Sequence, residues 1–361
     1  MTKETDCNHS SPWPGISRRD FIKLAAAGLL VGCSPQPQPA ATSAPTPTAT
    51  SMPTTSAIPA PTSEPTAEPT PAPLSRVVQV HAGVWDWDND KLIEDAIRQM
   101  LDASITGLTG QNDAGQAWAS LFAPQERIAI KVNASSASSF WTHAPLVMAI
   151  TERLQQAGVP AEQIVIFDHS TNELPGAGYT VNKDGPGVRC YGTDGDYSTS
   201  GWTIMDTEVG LSNILMNCDA LINVPILKQH VLSGISFAMK NHYGTFTRPS
   251  SFHGERLARG IAELNALPPI KERTRLIVGD TLAIVKIGWR VAVKGSSILM
   301  SFDPVAHDTV GLYLYNQMLA AEGGNPAGAT EQANAWLNAG AELNLGVNNL
   351  DKIEWMDVIL G

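Results

Sequence analysis

"ERIAIKVNAS" (residues 126–135), "THAPLVMAITERLQQAGVP" (142–160) and "AEQIVIFDHS" (161–170) decide the fold. The outer two are short apolar runs rich in Ile and Val, bounded by polar residues, and read as buried strands. The middle run places Pro145 in a first helical turn and Gly158 at the expected C-cap, so it reads as a helix. Strand, helix, strand in that order implies a parallel pair joined by a right-handed crossover.

The same alternation continues on both sides. "RVVQVHAGVW" (76–85) is β-branched, bounded by Gly83, and reads as a first strand. "DNDKLIEDAIRQMLDAS" (88–104) sets Leu92, Ile93, Ile97, Met100 and Leu101 on one helical face, with Asp88, Asn89 or Asp90 as the expected cap. Asp86, Asp88 and Asp90 lack the Gly and Glu that a calcium loop requires, which favours capping. "CDALINVPILKQH" (218–230) reads as a strand leading into a loop, and "RTRLIVGDT" (273–281) and "GSSILMSFD" (295–303) as further strands. "PVAHDTVGLYLYNQMLAA" (304–321) reads as a helix. The pattern predicts an α/β fold, a mostly parallel sheet with helices on both faces.

Composition narrows the function. The 361-residue chain carries a net charge of −11, with no basic stripe to neutralise phosphates, so no nucleic-acid partner is expected. Of four cysteines, Cys7 and Cys33 lie near the N-terminus. Cys190 and Cys218 remain, and are expected as buried free thiols, although a disulfide between them is the alternative. Two cysteines cannot hold an iron–sulfur cluster, so none of the chain's own is expected. No G-x-G-x-x-G or P-loop is present, and no G-x-S-x-G.

The N-terminal "SRRDFIKLAAAGLLVGC" (17–33) is a separate signal. Its apolar run, Leu24 to Val31, is far shorter than the roughly 20 residues that span a bilayer. Arg18 and Arg19 with Phe21 and Lys23 resemble the twin-arginine export pattern S-R-R-x-F-L-K, with Ile22 in place of leucine. The ending at Cys33 resembles a lipobox, in which that cysteine is lipidated. The resemblance implies passage through the twin-arginine translocase, which carries folded proteins and commonly those holding a cofactor or metal. It also implies a lipid anchor on the outer side of the cytoplasmic membrane. Residues 34–75 are dominated by Pro, Thr, Ser and Ala, too polar to offset ordering entropy, and read as a disordered, semi-stiff spacer. The expected organisation is signal peptide 1–33, spacer 34–75 and one α/β domain 76–361.

Ligands of open α/β sheets sit beyond the carboxyl ends of the strands. Those ends supply Lys131 and Asn133, then Asp168 and His169, then Asn223, Lys228 and His230, with Lys240, Asn241 and His242 following. The later strands supply Asp280 and Asp303, the latter ahead of His307 and Asp308. Converging lysines would hold a carboxylate or phosphate, and converging Asp and His a divalent metal. Lys131, Lys228, His230, Lys240 and Asp303 are the catalytic candidates. Asn133, Asn223 and Asn241 are the ligand-binding ones, and Asp168, Asp280 and Asp308 the metal ligands. Helix capping is the alternative role for Asp303 before Pro304, and backbone hydrogen bonding that for His169 and His242.

The stretches "IAIKVN", "TH", "CDALINVPILKQHVLSGISFAMKNHYGTF", "GD" and "SFDPVAHDTVG", with the closing "AELNLGVNNLDKIEWM", resemble the family known as domain of unknown function 362. The resemblance runs from about Arg76 to Met356. It places the family's motif residues on Lys131, Asn133, Asn223, Lys228, His230, Lys240, Asn241, Asp303 and Asp308. Some relatives carry ferredoxin-like cysteine clusters, which implies redox settings that this chain's cysteines do not support. Three functions follow as expectations. The first is a metal- or cofactor-dependent enzyme, redox or hydrolytic, acting on a small anion. The second is an extracytoplasmic protein that binds a ligand or metal without turnover. The third is a partner of an exported redox system.

Overall fold

The structure, a computed structural model, describes residues 75–135, 140–199, 201–286 and 291–361. Arg18, Arg19, Cys33 and the spacer through residue 74 lie outside the described residues. Chain order begins with β1 (Ser75–His81), the small pair β2 (Trp85–Asp86) and β3 (Lys91–Leu92), then α1 (Glu94–Thr109) and α2 (Ala114–Leu121). The deciding stretch forms β4 (Ile128–Lys131), α3 (Ala144–Gln156) and β5 (Ile164–Phe167). After β6 (Arg189–Cys190), β7 (Trp202–Ile204), β8 (Thr207–Val209) and α4 (Asn213–Asn217) come β9 (Ala220–Asn223), β10 (Ile226–His230), β11 (Gly234–Ser236) and α5 (Ala238–Asn241). The chain closes with α6 (Leu257–Ala266), α7 (Pro268–Lys271), β12 (Thr274–Lys286), β13 (Val291–Ser301), α8 (Pro304–Ala321), α9 (Ala327–Glu342) and β14 (Ile353–Ile359).

Ten strands make one sheet, in the order β14-β1-β13-β12-β9-β4-β5-β6, with β10 beside β12 and β11 beside β10. β13 runs against both of its neighbours and β11 against β10; every other pairing is parallel. Side-chain alternation splits each strand between two apolar layers. Val78, Val80, Ile128, Ile130, Ile298 and Met300 face Ile97, Met100, Trp118 and Leu146 of α1, α2 and α3. Val77 and Leu299 face the opposite way, onto Val305, Tyr315 and Trp336 of α8 and α9. Ala129, Phe167 and Leu221 meet Leu264 and Ile270 on that same side. The fold is therefore α/β, mostly parallel, with helices on both faces.

Three local expectations change. The α1 helix starts at Glu94 with Ile93 as its N-cap, so Asp88, Asn89 and Asp90 do not cap it. Asp86 instead accepts the backbone N–H of Asp88 and Asn89, which closes the β2–β3 turn before the helix begins. The α3 helix caps at Ala157, with Gly158 one residue later at φ +98°. The stretch 218–230 is two strands, because Pro225 has no N–H to continue the ladder. Both halves nevertheless pair with β12: β9 along Thr274 to Ile277, and β10 from Asp280 onward. In this way β10 carries Lys228 past the carboxyl edge of β4. Helix α9 and strand β14 had no counterpart among the elements read from periodicity.

Candidate functional site

Register builds the site. Lys131, the last residue of β4, pairs with Asn223 on one side and Phe167 on the other, so the ends of β4, β5 and β9 are level. The residue after Phe167 is Asp168, which places its carboxylate beside the Lys131 ammonium. Their Nζ–Oδ1 distance is 2.6 Å and both side chains are buried. Lys131 Nζ also donates to the Val132 carbonyl at 2.6 Å, and Asp168 accepts from the backbone N–H of Ala134 and His169. A buried pair tolerates desolvation only when its remaining hydrogen-bonding capacity is filled, and these contacts fill much of it. Gly244 packs directly on the pair: a Cβ there would lie 2.5 Å from Asp168 Oδ1 and 2.9 Å from Lys131 Nζ.

A chain of amides leads away from the ion pair. Lys228 Nζ donates to Asn133 Oδ1 at 2.7 Å and to the Phe140 carbonyl at 3.4 Å. Asn133 Nδ2 reaches Asn241 Oδ1 at 3.4 Å, and Asn241 Nδ2 donates to Asn223 Oδ1 at 2.8 Å. Asn223 Nδ2 donates to the Ala238 carbonyl at 2.8 Å and meets His242 Nε2 at 3.2 Å. A ring nitrogen that accepts belongs to a neutral imidazole. Burial, and then the Lys131 charge, push His242 down to about 3, which agrees with that role. Beneath this chain Asp308 accepts the backbone N–H of Ala238 and Met239, both at 2.8 Å, and so fixes α5, which carries Lys240 and Asn241.

The ion pair and the Asn133–Asn241 end of the amide chain border one cavity of about 500 Å³, whose wall includes Lys131, Asp168, Lys228, His230, Lys240 and Tyr243. Lys240 Nζ sits 3.4 Å from the centroid of the Tyr243 ring. Among the described residues no carboxylate pairs with Lys240. Burial and then the neighbouring Lys228 bring it down to about 7, whereas burial, and Lys131 more weakly, bring Lys228 to about 8 against the pull of Asp168. His230 accepts the N–H of Leu232 and Ser233 on Nδ1, leaving its proton on Nε2. Burial, then Lys240, His253 and Lys228, depress it to about 3.

The structure thus brings together Lys131, Asn133, Asp168, Asn223, Lys228, His230, Lys240 and Asn241, with Asp308 as their support. Asp303 and Asp280 stand apart from them. Asp303 is the N-cap of α8: it accepts from Val305 N and Ala306 N, and also from Ser75 Oγ and Val347 N. Asp280 lies buried in β12 and binds His143 through both its backbone N (2.7 Å) and Nδ1 (2.8 Å). The three aspartates expected as metal ligands therefore serve three different partners. Among the described residues no three His, Cys, Asp or Glu side chains gather as a metal group. Cys190 and Cys218 are free and buried, with burial pushing the thiols up to about 11 and about 12.

Sequence reasoning passed over His143. It faces a second cavity of about 830 Å³, lined by Trp85, Phe140, Trp141, Met148 and Lys294 among others. His143 precedes a helix and reads as an ordinary flanking residue; no spacing links it to Asp280, 137 positions later. Tyr243, Glu173 and His253 of the first cavity were also unmarked.

The family model described as "Domain of unknown function (DUF362)" matches residues 128–313, and the chain belongs to that family. That span holds both cavities' titratable groups from Ile128 onward, and is narrower than the 76–356 over which the motifs were read. No curated protein matches the chain. Among solved structures, the lactate racemase apoprotein from Thermoanaerobacterium thermosaccharolyticum is similar at 10% identity and a TM-score of 0.40, covering 65% of this chain and 55% of its own. A Thermotoga maritima protein is similar at 9% identity and a TM-score of 0.37, covering 70% and 59%. The chain thus spans little more than half the length of either, and likenesses this distant say nothing of its activity.

Proposed function

We propose that this DUF362 domain takes a small anion into the lysine cavity and acts on it there as an enzyme. Lys228 and Lys240 serve as the anion's partners, and Lys131 with Asp168 as the fixed floor. One observation carries the reading: Lys240 is buried beside a second lysine, and among the described residues no carboxylate pairs with it. A buried ammonium without a counter-ion is costly. A carboxylate or phosphate entering the cavity supplies that counter-ion, so the protein's own electrostatic deficit becomes binding energy for the ligand. Arg18, Arg19 and Cys33 support placing this activity outside the cytoplasmic membrane on a lipid anchor. Loss of membrane association in Cys33→Ser cells, with wild-type protein in the membrane fraction, is the expected result.

Capture of the anion without turnover is the second reading. What favours it is that Asp280 and Asp308, expected as metal ligands, are committed to His143 and to the α5 backbone. Titration calorimetry of the full-length protein with sodium phosphate and sodium pyruvate tests the common core of both. One saturable site is expected, with affinity reduced about tenfold or more in Lys240→Met and in Lys228→Met. Equal binding by wild type and both variants overturns the assignment.

A further inference from the structure

We infer that Lys240 is a carbonyl-trapping amine, and that the cavity's ligand is an anion carrying an aldehyde or ketone, such as a 2-oxo acid. The inference rests on the anion reading above and adds a covalent step to it.

The three cavity lysines differ in what their nitrogens touch. Lys131 is spent on Asp168 and the Val132 carbonyl. Lys228 donates to Asn133 Oδ1 and the Phe140 carbonyl. Lys240 instead lies over the face of Tyr243, a cation–π contact, and among the described residues its nitrogen is committed to no oxygen acceptor. Nucleophilic attack requires a lone pair, which an ammonium lacks. A lysine beside another cation in an apolar site is kept partly as the free amine. Here burial and Lys228 bring Lys240 to about 7, so the free amine is a substantial fraction at neutral pH.

The anionic end of the ligand and its carbonyl then have separate partners. Lys228, the more basic of the two, holds the carboxylate. The Lys240 lone pair attacks the carbonyl carbon, and the carbonyl oxygen takes up a proton while the nitrogen loses one, giving a carbinolamine. The C–O bond then breaks, the oxygen leaves as water, and a C=N bond remains between Lys240 and the ligand. No oxidant or reductant is consumed. His230 and His253 lie on the same cavity wall and both feel the Lys240 charge. His230 is a neutral imidazole with its proton on Nε2, a hydrogen-bond donor for the carbonyl and carbinolamine oxygen; the proton that leaves with that oxygen as water is the one the nitrogen gives up as the C=N bond forms.

The test is reductive trapping. Full-length protein is incubated with sodium pyruvate and sodium cyanoborohydride at pH 7, digested, and mapped by mass spectrometry. A single reduced adduct on Lys240 is expected, falling at least about tenfold in Lys240→Arg, while Lys271→Arg, an exposed lysine on α7, labels as wild type does. Should the Arg variant not fold, the wild-type rate decides: it rises with pH through about 7 and then levels if Lys240 reacts. Adduct spread evenly over surface lysines, or undiminished in Lys240→Arg, overturns the inference. Calorimetric binding of pyruvate without any Lys240 adduct sinks the covalent step and leaves the anion reading standing. Absence of both pyruvate and phosphate binding removes the reading beneath it.

Discussion

The segment that leaves β4 borders two cavities. Asn133 and Ser135 line the first, with its three lysines; Phe140, Trp141 and His143 line the second. Each contains a largely buried base, and the two bases are treated in opposite ways. His143 has its own carboxylate. Burial alone lowers its basicity, but the Asp280 charge and hydrogen bond together outweigh burial and raise it. Lys240 has no such partner among the described residues, and burial and Lys228 both lower it. A buried base supplied with its counter-ion is complete as it stands. A buried base without one is completed by what binds. That difference is the ground on which the proposed anion is assigned to the lysine cavity rather than beside His143.

The largest expected effect comes from exposing the first cavity's floor to the same deficit. Lys131→Met leaves the buried Asp168 carboxylate unpaired, which is expected to cost about 3–5 kcal/mol in denaturant unfolding. A loss below about 1 kcal/mol would mean that the backbone donors of Ala134 and His169 suffice for Asp168, and that the pair is no floor.

The pH dependence of stability separates the cavities next. Lys240 titrates near 7 when folded and near 10.5 when unfolded, so between those values the unfolded chain binds more protons. Unfolding free energy is therefore expected to rise from pH 7 toward 10.5, with Lys228 adding the interval from about 8. Saturating phosphate, which favours the charged lysines, should flatten the rise. His143 acts in the opposite sense, because its folded value is raised: its contribution is present below 6.5 and lost as pH climbs through the folded value. Denaturation curves at half-unit steps check this. A slope in alkaline solution that Lys240→Met leaves unaltered breaks the argument.

The smallest effect is spectroscopic. In Asp280→Asn the carboxylate's charge is gone and burial is left to dominate, so the His143 imidazole should titrate below its wild-type position. Proton NMR of the ring reads this directly, and an unmoved titration would show that Asp280 merely orients the ring.

Much of the frame was legible in the residues. The Ile/Val runs of β4, β5 and β9, the Pro145 start of α3, and the Asp303-Pro304 opening of α8 carry local signals, because strand alternation and helix capping depend on neighbours in the chain. Lys131, Lys228 and Lys240 were conspicuous because charge at the end of an apolar run demands an explanation. Less legible were α9, whose Ala-rich repeat "AGATEQANAWLNAGAE" gives a thin apolar face, and the split of 218–230 at Pro225.

What the sequence by itself determined was the alternating α/β order, the family, and the set of polar residues at the strand ends. What only the tertiary structure decided was their pairing. Lys131 found Asp168, 37 positions away, because adjacent parallel strands end level. Asp280 found His143 because β12 passes beneath the start of α3, and so left the metal set it was expected to join. Lys240 was left with a ring. Local sequence sets which groups are buried, but the cost of a buried charge depends on what faces it across the fold, and that is settled by register and packing between distant segments.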